Sequence, residues 1–195
     1  MHPLVNLAKL TVENYVRNEK IIDPPAGLPQ EFLTKKAGVF VTINKKSKEE
    51  SKTLLRGCLG TYLPTKINVV QEVISNAVAA CTKDFRFGPI KEQELVFLSY
   101  LIYVLEYPRP IKDLKELNPK ELGIIVKTSP FIYPDQPEEK RDFNGYVPFK
   151  SGILLPDLEG IDSPEKQFLA ACQKGGIDPS AEQIFIYKFA VEKFE

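Results

Sequence analysis

The stretch LLRGCLGTY, residues 54–62, places one cysteine between two glycines and two residues after an arginine. Its residue types favour a strand, as do the β-branched and aromatic residues of AGVFVTI, residues 37–43. Polar and charged residues fill the segment 44–52 between them, which predicts an exposed turn. The pattern therefore predicts a β-hairpin whose second strand carries the cysteine.

Helices are predicted on both sides of this hairpin by apolar residues that recur at spacings of three and four. The spacing predicts amphipathic helices over 4–22 and 68–83. A third helix is predicted to begin near Ser163, where a capping side chain precedes a proline and an acid, and to end at Gly175 and Gly176. Its residues predicted to face inward are Phe168, Leu169 and Cys172.

The rest of the chain is predicted to add strands and irregular segments. Strands are predicted over 96–106, 122–127, 151–155 and 184–194, a short helical turn over 113–117 and an irregular loop over 129–148. Helices and strands follow one another irregularly and two strands form a hairpin. The order therefore favours an α+β fold with a mostly antiparallel sheet and flanking helices. No clear linker interrupts the chain, and residues 1–195 are interpreted as a single domain.

The amino-acid composition argues against several classes of protein. The 26 basic and 26 acidic residues balance, which argues against non-specific binding to nucleic acid. The most apolar stretch, residues 95–105, is shorter than the roughly 20 residues that span a bilayer, and the start lacks a secretory signal pattern. Three widely spaced cysteines are not typical of a disulfide framework. We therefore expect no membrane partner and a cytoplasmic location.

The single histidine excludes several kinds of catalytic site. His2 is expected in a frayed terminus, and Cys–His or Ser–His catalysis needs an imidazole fixed beside its nucleophile. No C-x-x-C pair is present for a zinc site, and no phosphate-binding or dinucleotide-binding glycine pattern occurs. We expect neither a bound metal nor a cofactor.

Cys58 has two interpretations. It is a candidate thiolate nucleophile, because Arg56 on the same strand face could stabilise the thiolate and Asp84 could accept a proton. It is also typical of a small buried apolar residue, as free cysteine often is. Cys81 and Cys172 fall on apolar helix faces and are predicted to lie in the core.

The same stretch also predicts an anion-binding cradle. Gly57, Gly60 and Thr61 would supply close backbone approach and a hydroxyl, and Arg56 and Arg86 would supply bidentate donors to a carboxylate or phosphate. In the competing interpretation the arginines form structural ion pairs, Arg86 with Asp84 and Arg56 with an acid across the sheet. The glycines then belong to a β-bulge. Three aromatic residues nearby are candidates for the pocket wall or the core: Tyr62, Phe85 and Phe87.

Several segments in order resemble the AMMECR domain family. The hexapeptide LRGCLG is similar to the family signature, and the resemblance spans residues 4–195. The chain differs from many members in carrying Leu122 before Gly123, where they have a histidine, and Asp157 after its LLP segment, where they have a glutamine. The similar segments are GVFVT at 38–42, LRGCLGTY at 55–62, KDFRF at 83–87, GILLP at 152–156 and FLAACQKGG at 168–176.

This resemblance implies an α+β protein of two lobes, with a cleft lined by the signature and no settled activity. It also implies a link to Memo-type proteins and radical-SAM enzymes as partners. With no catalytic histidine, our leading hypothesis is a binding or adaptor module whose cleft, near residues 56–62 and 84–87, holds an anionic small molecule or a partner peptide. The alternative is an enzyme that uses Cys58 as its nucleophile.

Overall fold

The computed structural model describes residues 1–47, 53–131 and 149–195. These residues divide into two compact units, one of residues 1–107 with 192–195 and one of residues 108–191. The helices are α1 (Pro3–Asn18), α2 (Gln30–Thr34), α3 (Val69–Thr82) and α4 (Pro164–Gly175), with 3₁₀ helices at Glu92–Phe97 and Leu114–Glu116. The strands are β1 (Val39–Lys46), β2 (Thr53–Thr61), β3 (Leu98–Leu105), β4 (Arg109–Ile111), β5 (Gly123–Lys127), β6 (Ser151–Leu154), β7 (Phe185–Phe189) and β8 (Val191–Phe194).

In the first unit the predicted hairpin is present. Strands β2, β1, β3 and β8 form one sheet in that order, and β1 pairs antiparallel with both β2 and β3. One face of this sheet packs against α1 and α3 in a single hydrophobic core, to which β1 contributes Val39, Val41 and Ile43. Since side chains alternate along a strand, Thr42 and its cross-strand partner Cys58 point to the opposite face.

A bulge interrupts the hairpin inside the signature. Ile43 lies opposite Gly57 and Asn44 lies opposite Leu55, so Arg56 is the extra residue. Gly57 lies directly beneath α3, and a Cβ atom there would overlap the carbonyl oxygen of Ala80. The glycine is therefore explained by the close approach of strand and helix.

The amino terminus is ordered, and the prediction of a frayed His2 is wrong. The Nδ1 atom of His2 accepts the Leu4 N–H at 3.3 Å and caps α1. Its ring stacks on Phe194 with 4.1 Å between centroids and meets Phe32 edge-on. These contacts join helix α1 to β8, the last strand of the chain.

In the second unit, β4, β7, β5 and β6 form a second sheet in that order, and its pairings are antiparallel. Helix α4 begins with the side chain of Ser163 capping the Lys166 N–H and ends with Gly176 in the left-handed conformation, as predicted. Cys172 faces the core. Leu169 does not; it is 57% exposed, because it lies on the solvent side of the amphipathic helix.

Two predicted strands have different bounds. The segment 184–194 is two strands, because the chain leaves the second sheet after Phe189 and resumes in the first sheet at Val191. The segment 96–106 begins in the 3₁₀ helix and becomes a strand only at Leu98. Most of the predicted irregular loop, residues 132–148, lies outside the described residues, as do residues 48–52 of the predicted turn.

The α+β fold with antiparallel sheets and flanking helices is confirmed. The cleft stays a prediction. No helix among the described residues is both long and apolar enough to cross a membrane.

Replacing Gly57 with alanine tests the close packing of β2 under α3. Because the added methyl group meets a helix backbone oxygen, we expect a loss of about 1–3 kcal/mol in the free energy of unfolding, measured by chemical denaturation. Thr53→Ala, at an exposed position of the same strand, is the control and should change stability by less than about 0.5 kcal/mol. A Gly57→Ala protein as stable as wild type would contradict the steric explanation.

Candidate functional site

Cys58 is the accessible cysteine of the described chain. Its side chain is half-buried, whereas Cys81 and Cys172 are buried. Burial raises the pKa of the Cys81 thiol to about 11 and raises that of Cys172 as well. The Sγ atom of Cys58 lies 3.2 Å from the Oγ1 atom of Thr42, on the face opposite the helices. Cys58 is therefore less buried than the other two cysteines, and its two interpretations both stay open.

Asp84 closes the open edge of β2. Its Oδ2 atom accepts the Cys58 N–H at 2.8 Å, where a further strand would otherwise pair. Its carboxylate also accepts the backbone N–H of Arg86 at 3.2 Å and two guanidinium N–H groups at 2.7 and 2.9 Å. The side chain is 3% exposed. Asp84 thus links the signature strand to the turn that follows α3.

These hydrogen bonds decide the protonation of Asp84. Hydrogen bonding from the Arg86 side chain is the largest cause, and with the Cys58 N–H it lowers the pKa of Asp84 to about 2, although burial opposes the shift. A carboxylate with this pKa is a weak proton acceptor near neutral pH. The geometry therefore favours a structural role for Asp84 over the predicted role of general base.

Arg86 retains one free side of its guanidinium. Its Nε and Nη2 atoms donate to Asp84, and Nη2 lies 3.5 Å from the carbonyl oxygen of Cys58. No described residue accepts a hydrogen bond from its Nη1 atom, and the side chain is 45% exposed. The ion pair orients the group, and Nη1 remains available to an incoming anion.

The guanidinium of Arg56 donates its hydrogen bonds to other groups of the protein. It donates from Nε and Nη2 to the two carboxylate oxygens of Glu94 at 2.9 Å, and to the carbonyl oxygens of Gly88 and Pro89 at 3.0 and 3.1 Å. Lys45 joins Glu94 at 2.8 Å. The Arg56 side chain is 13% exposed, and its contacts connect the bulge to the loop 88–94. The competing prediction gives Arg56 an ion pair with an acid across the sheet. Arg56 does form an ion pair, but its partner Glu94 lies in the 3₁₀ helix Glu92–Phe97 and not on a strand.

The remaining predicted cradle residues have partners in the protein. A Cβ atom at Gly60 would overlap the Phe40 ring and the Val39 carbonyl oxygen, so packing explains this glycine. The Thr61 hydroxyl donates to Glu72 at 2.8 Å. Gly57, Gly60 and Thr61 thus shape the strand, and the donor with free capacity next to Cys58 is Arg86.

Sequence reasoning missed two acids, the buried Glu72 and the half-buried Glu94. Glu72 is almost fully buried and accepts from Thr61, from the N–H and hydroxyl groups of Thr65, and from the Lys66 N–H. The signal was present, since Glu72 lies with Asn76 on the helical face that also carries buried Val73. A polar pair on an apolar stripe indicates internal hydrogen bonds.

The aromatic residues of the neighbouring turn are not part of the core. Phe85 is 94% exposed and Phe87 is also exposed. The prediction of a core position is therefore wrong for both, because Asp84 turns inward to satisfy the strand edge, which directs the residues after it to the surface. That these rings line a pocket stays a prediction.

The sequence of this chain matches a known family. The AMMECR1 model matches residues 5–194, nearly the whole chain. The chain belongs to the AMMECR1 family. This confirms the resemblance inferred from LRGCLG and the segments that follow it.

Relatives within the AMMECR1 family are similar over most of this chain. A Thermotoga maritima protein is 38% identical over 100% of this chain and 98% of its own length. The crystal structure of uncharacterized protein PH0010 from Pyrococcus horikoshii superposes with a TM-score of 0.78 at 30% identity, covering 97% of this chain and 88% of that one. A Clostridium acetobutylicum protein is 33% identical over 98% of this chain, which spans only 35% of that longer protein.

The dependence of the free energy of unfolding on pH in acid tests the Asp84 ion pair. Because the folded-state pKa is lowered, the unfolded chain binds more protons between about pH 4 and pH 2, and stability falls as the pH drops through this window. Asp84→Asn should lower the free energy of unfolding at pH 7 by about 2 kcal/mol, as measured by denaturation from pH 2 to 7. The same variant should lose less stability than the wild type as the pH falls. Asp23→Asn, at an exposed position, is the control, and equal pH profiles for the two variants would contradict the assignment.

Proposed function

We propose that the protein is a binding module that receives an anionic group at Arg86, next to Cys58. The anion is a carboxylate or phosphate of a small molecule or of a partner peptide. The observation that carries the proposal is the guanidinium of Arg86, which is oriented by Asp84 on one side and has its Nη1 atom without an acceptor among the described residues. An oriented arginine fork is suited to such groups.

The local charge supports an anion over a cation. Lys45 and Arg56 both face Glu94, so two positive charges meet one negative charge there, while Arg86 pairs one to one with Asp84. The two carboxylates stay ionised, because hydrogen bonding from Arg86 and Arg56 lowers the pKa of each to about 2. The excess charge is therefore constant over the physiological pH range.

An adaptor role fits the family context. The resemblance to AMMECR proteins suggests Memo-type proteins or radical-SAM enzymes as partners, and we propose that one of them presents the anionic group. The Clostridium acetobutylicum relative supports this, since there a match to this chain occupies about a third of a longer protein. Fusion of a binding module to its partner raises the effective concentration of each for the other.

Titration of the arginine side chains with acetate and with inorganic phosphate tests the proposal. We expect the Nε–Hε resonance of Arg86 to shift on addition of one of these anions, and Arg86→Gln to weaken binding by about tenfold or more. The backbone N–H of Cys58 serves as a reporter, because it lies against the Asp84 carboxylate.

Arg109→Gln is the matched control, because Arg109 is an exposed arginine on β4 of the second unit. It should leave the titration unchanged. Equal binding by the wild type and Arg86→Gln would contradict the proposal, whatever the affinity.

A second candidate function is nucleophilic catalysis by Cys58. It is favoured by the half-buried position of this thiol and by its closeness to Arg86. The hydrogen bonds that Arg86 donates to Asp84 chiefly raise the pKa of Arg86, and a negative charge on Cys58 raises it further. A guanidinium close enough to interact with the sulfur is a feature of activated thiols.

Alkylation with iodoacetamide, read at each cysteine by mass spectrometry, separates the two functions. We expect Cys58 to react in the native protein, and Cys81 and Cys172 only after unfolding, because both are buried. An alkylation midpoint for Cys58 well below about pH 8.5 would favour the enzyme. A midpoint at or above this value, together with anion binding by Cys58→Ser, would favour the binding module.

A further inference from the structure

The turn Phe85-Arg86-Phe87, here called the FRF turn, presents an aromatic ring to solvent. Phe85 is 94% exposed, more than any other large hydrophobic residue described. A phenylalanine side chain can bury about 150–250 Å² when it finds a partner. Such a residue in full solvent is unexplained by the packing of the described chain.

The FRF turn is rigid despite its exposure. The Phe87 and Gly88 N–H groups both donate to the carbonyl oxygen of Asp84, at 3.1 and 3.2 Å. The Asp84 side chain accepts the Arg86 N–H, and Arg56 holds the carbonyl oxygen of Gly88. Because both ends are fixed, little conformational entropy remains to be lost on binding, which is the requirement for a preorganised anchor.

Arg86 adds a charge to the FRF turn, beside the ring of Phe87. Its guanidinium carbon lies 5.1 Å from the centroid of the Phe87 ring, and its Nη1 atom is directed to no acceptor in the described chain. Aromatic residues and arginine dominate the energetic centres of protein interfaces. The FRF turn brings both types together on a scaffold that is already formed.

We propose that the FRF turn is a docking element that inserts Phe85 into an apolar pocket of a protein partner, which places a carboxylate against Arg86. This rests on the proposed function, since the partner's carboxylate is the anion that Arg86 receives. The docking element is thus a ring and a cation contributed by this chain, and the concave surface belongs to the partner.

The charge around the FRF turn favours a protein over a membrane surface. Residues 83–94 contain three basic and three acidic side chains, so the basic residues of this segment are interspersed with acids. Anionic lipid attracts clusters of basic residues that lack such acids, so this mixed segment gains little from it. A pocket with one acidic group complements the single free guanidinium edge and the ring of Phe85.

Site-specific photo-crosslinking finds and tests the partner. The full chain carrying p-benzoylphenylalanine at position 85 is expressed in the source organism, irradiated, and its adducts are identified by mass spectrometry. The matched control carries the same group at Ile67, which is 73% exposed in the same unit. We expect an adduct specific to position 85, attached to partner residues that line an apolar pocket containing Asp or Glu.

Calorimetry with the purified partner then measures the contribution of each side chain. Phe85→Ala should weaken binding by at least tenfold, and Phe85→Leu should retain most of the affinity because it keeps an apolar anchor. Arg86→Lys should also weaken binding, and Ile67→Ala should not. Phe85 is nearly fully exposed, so its replacement should leave the melting temperature unchanged, which separates lost binding from misfolding.

Each outcome distinguishes the inference from the proposed function. No adduct at position 85 above the Ile67 control overturns the docking element, and so does wild-type affinity in Phe85→Ala. If Arg86→Lys loses affinity while Phe85→Ala keeps it, the anion site stands and the docking element falls. If neither variant changes the affinity, both proposals fail.

Discussion

The Asp84 carboxylate connects the parts of the first unit on which the candidate site depends. It takes the place of a missing strand at the edge of the sheet by accepting the Cys58 N–H, and it holds the Arg86 guanidinium with its other lone pairs. One buried anion therefore satisfies the strand edge, fixes the turn after α3 and orients the nearby cation. Its own charge is stabilised by the same contacts, so the pKa of Asp84 stays far below neutral pH.

Other charged side chains near the signature are also enclosed by hydrogen-bonding partners. Arg56 is enclosed by the Glu94 carboxylate and two backbone oxygens, and Glu72 is enclosed by four donors. A buried charge is tolerated only when its hydrogen-bonding capacity is met, and these contacts meet it. Arg86 differs because its side chain remains partly in water, and this difference selects it from the two arginines of the predicted cradle.

The sequence predicts the α+β class, the hairpin and most helices, because hydrophobic periodicity and capping residues are local signals. It also brings Arg56, Cys58, Asp84 and Arg86 into one neighbourhood, through the strand and the turn that carry them. It cannot predict which arginine is enclosed, because that depends on Glu94 approaching across the fold. The break at Ala190 escaped prediction for a similar reason, since β7 and β8 alternate alike and only tertiary pairing assigns them to different sheets.

That break has a consequence for biosynthesis. Strand β8 completes the sheet of the first unit, and Phe194 covers the ring of His2 at the start of α1. The ribosome makes these residues only after it has made the whole of the second unit. Synthesis of the first unit thus begins first and is completed last, and its amino-terminal helix lacks its aromatic cover until synthesis reaches the last strand.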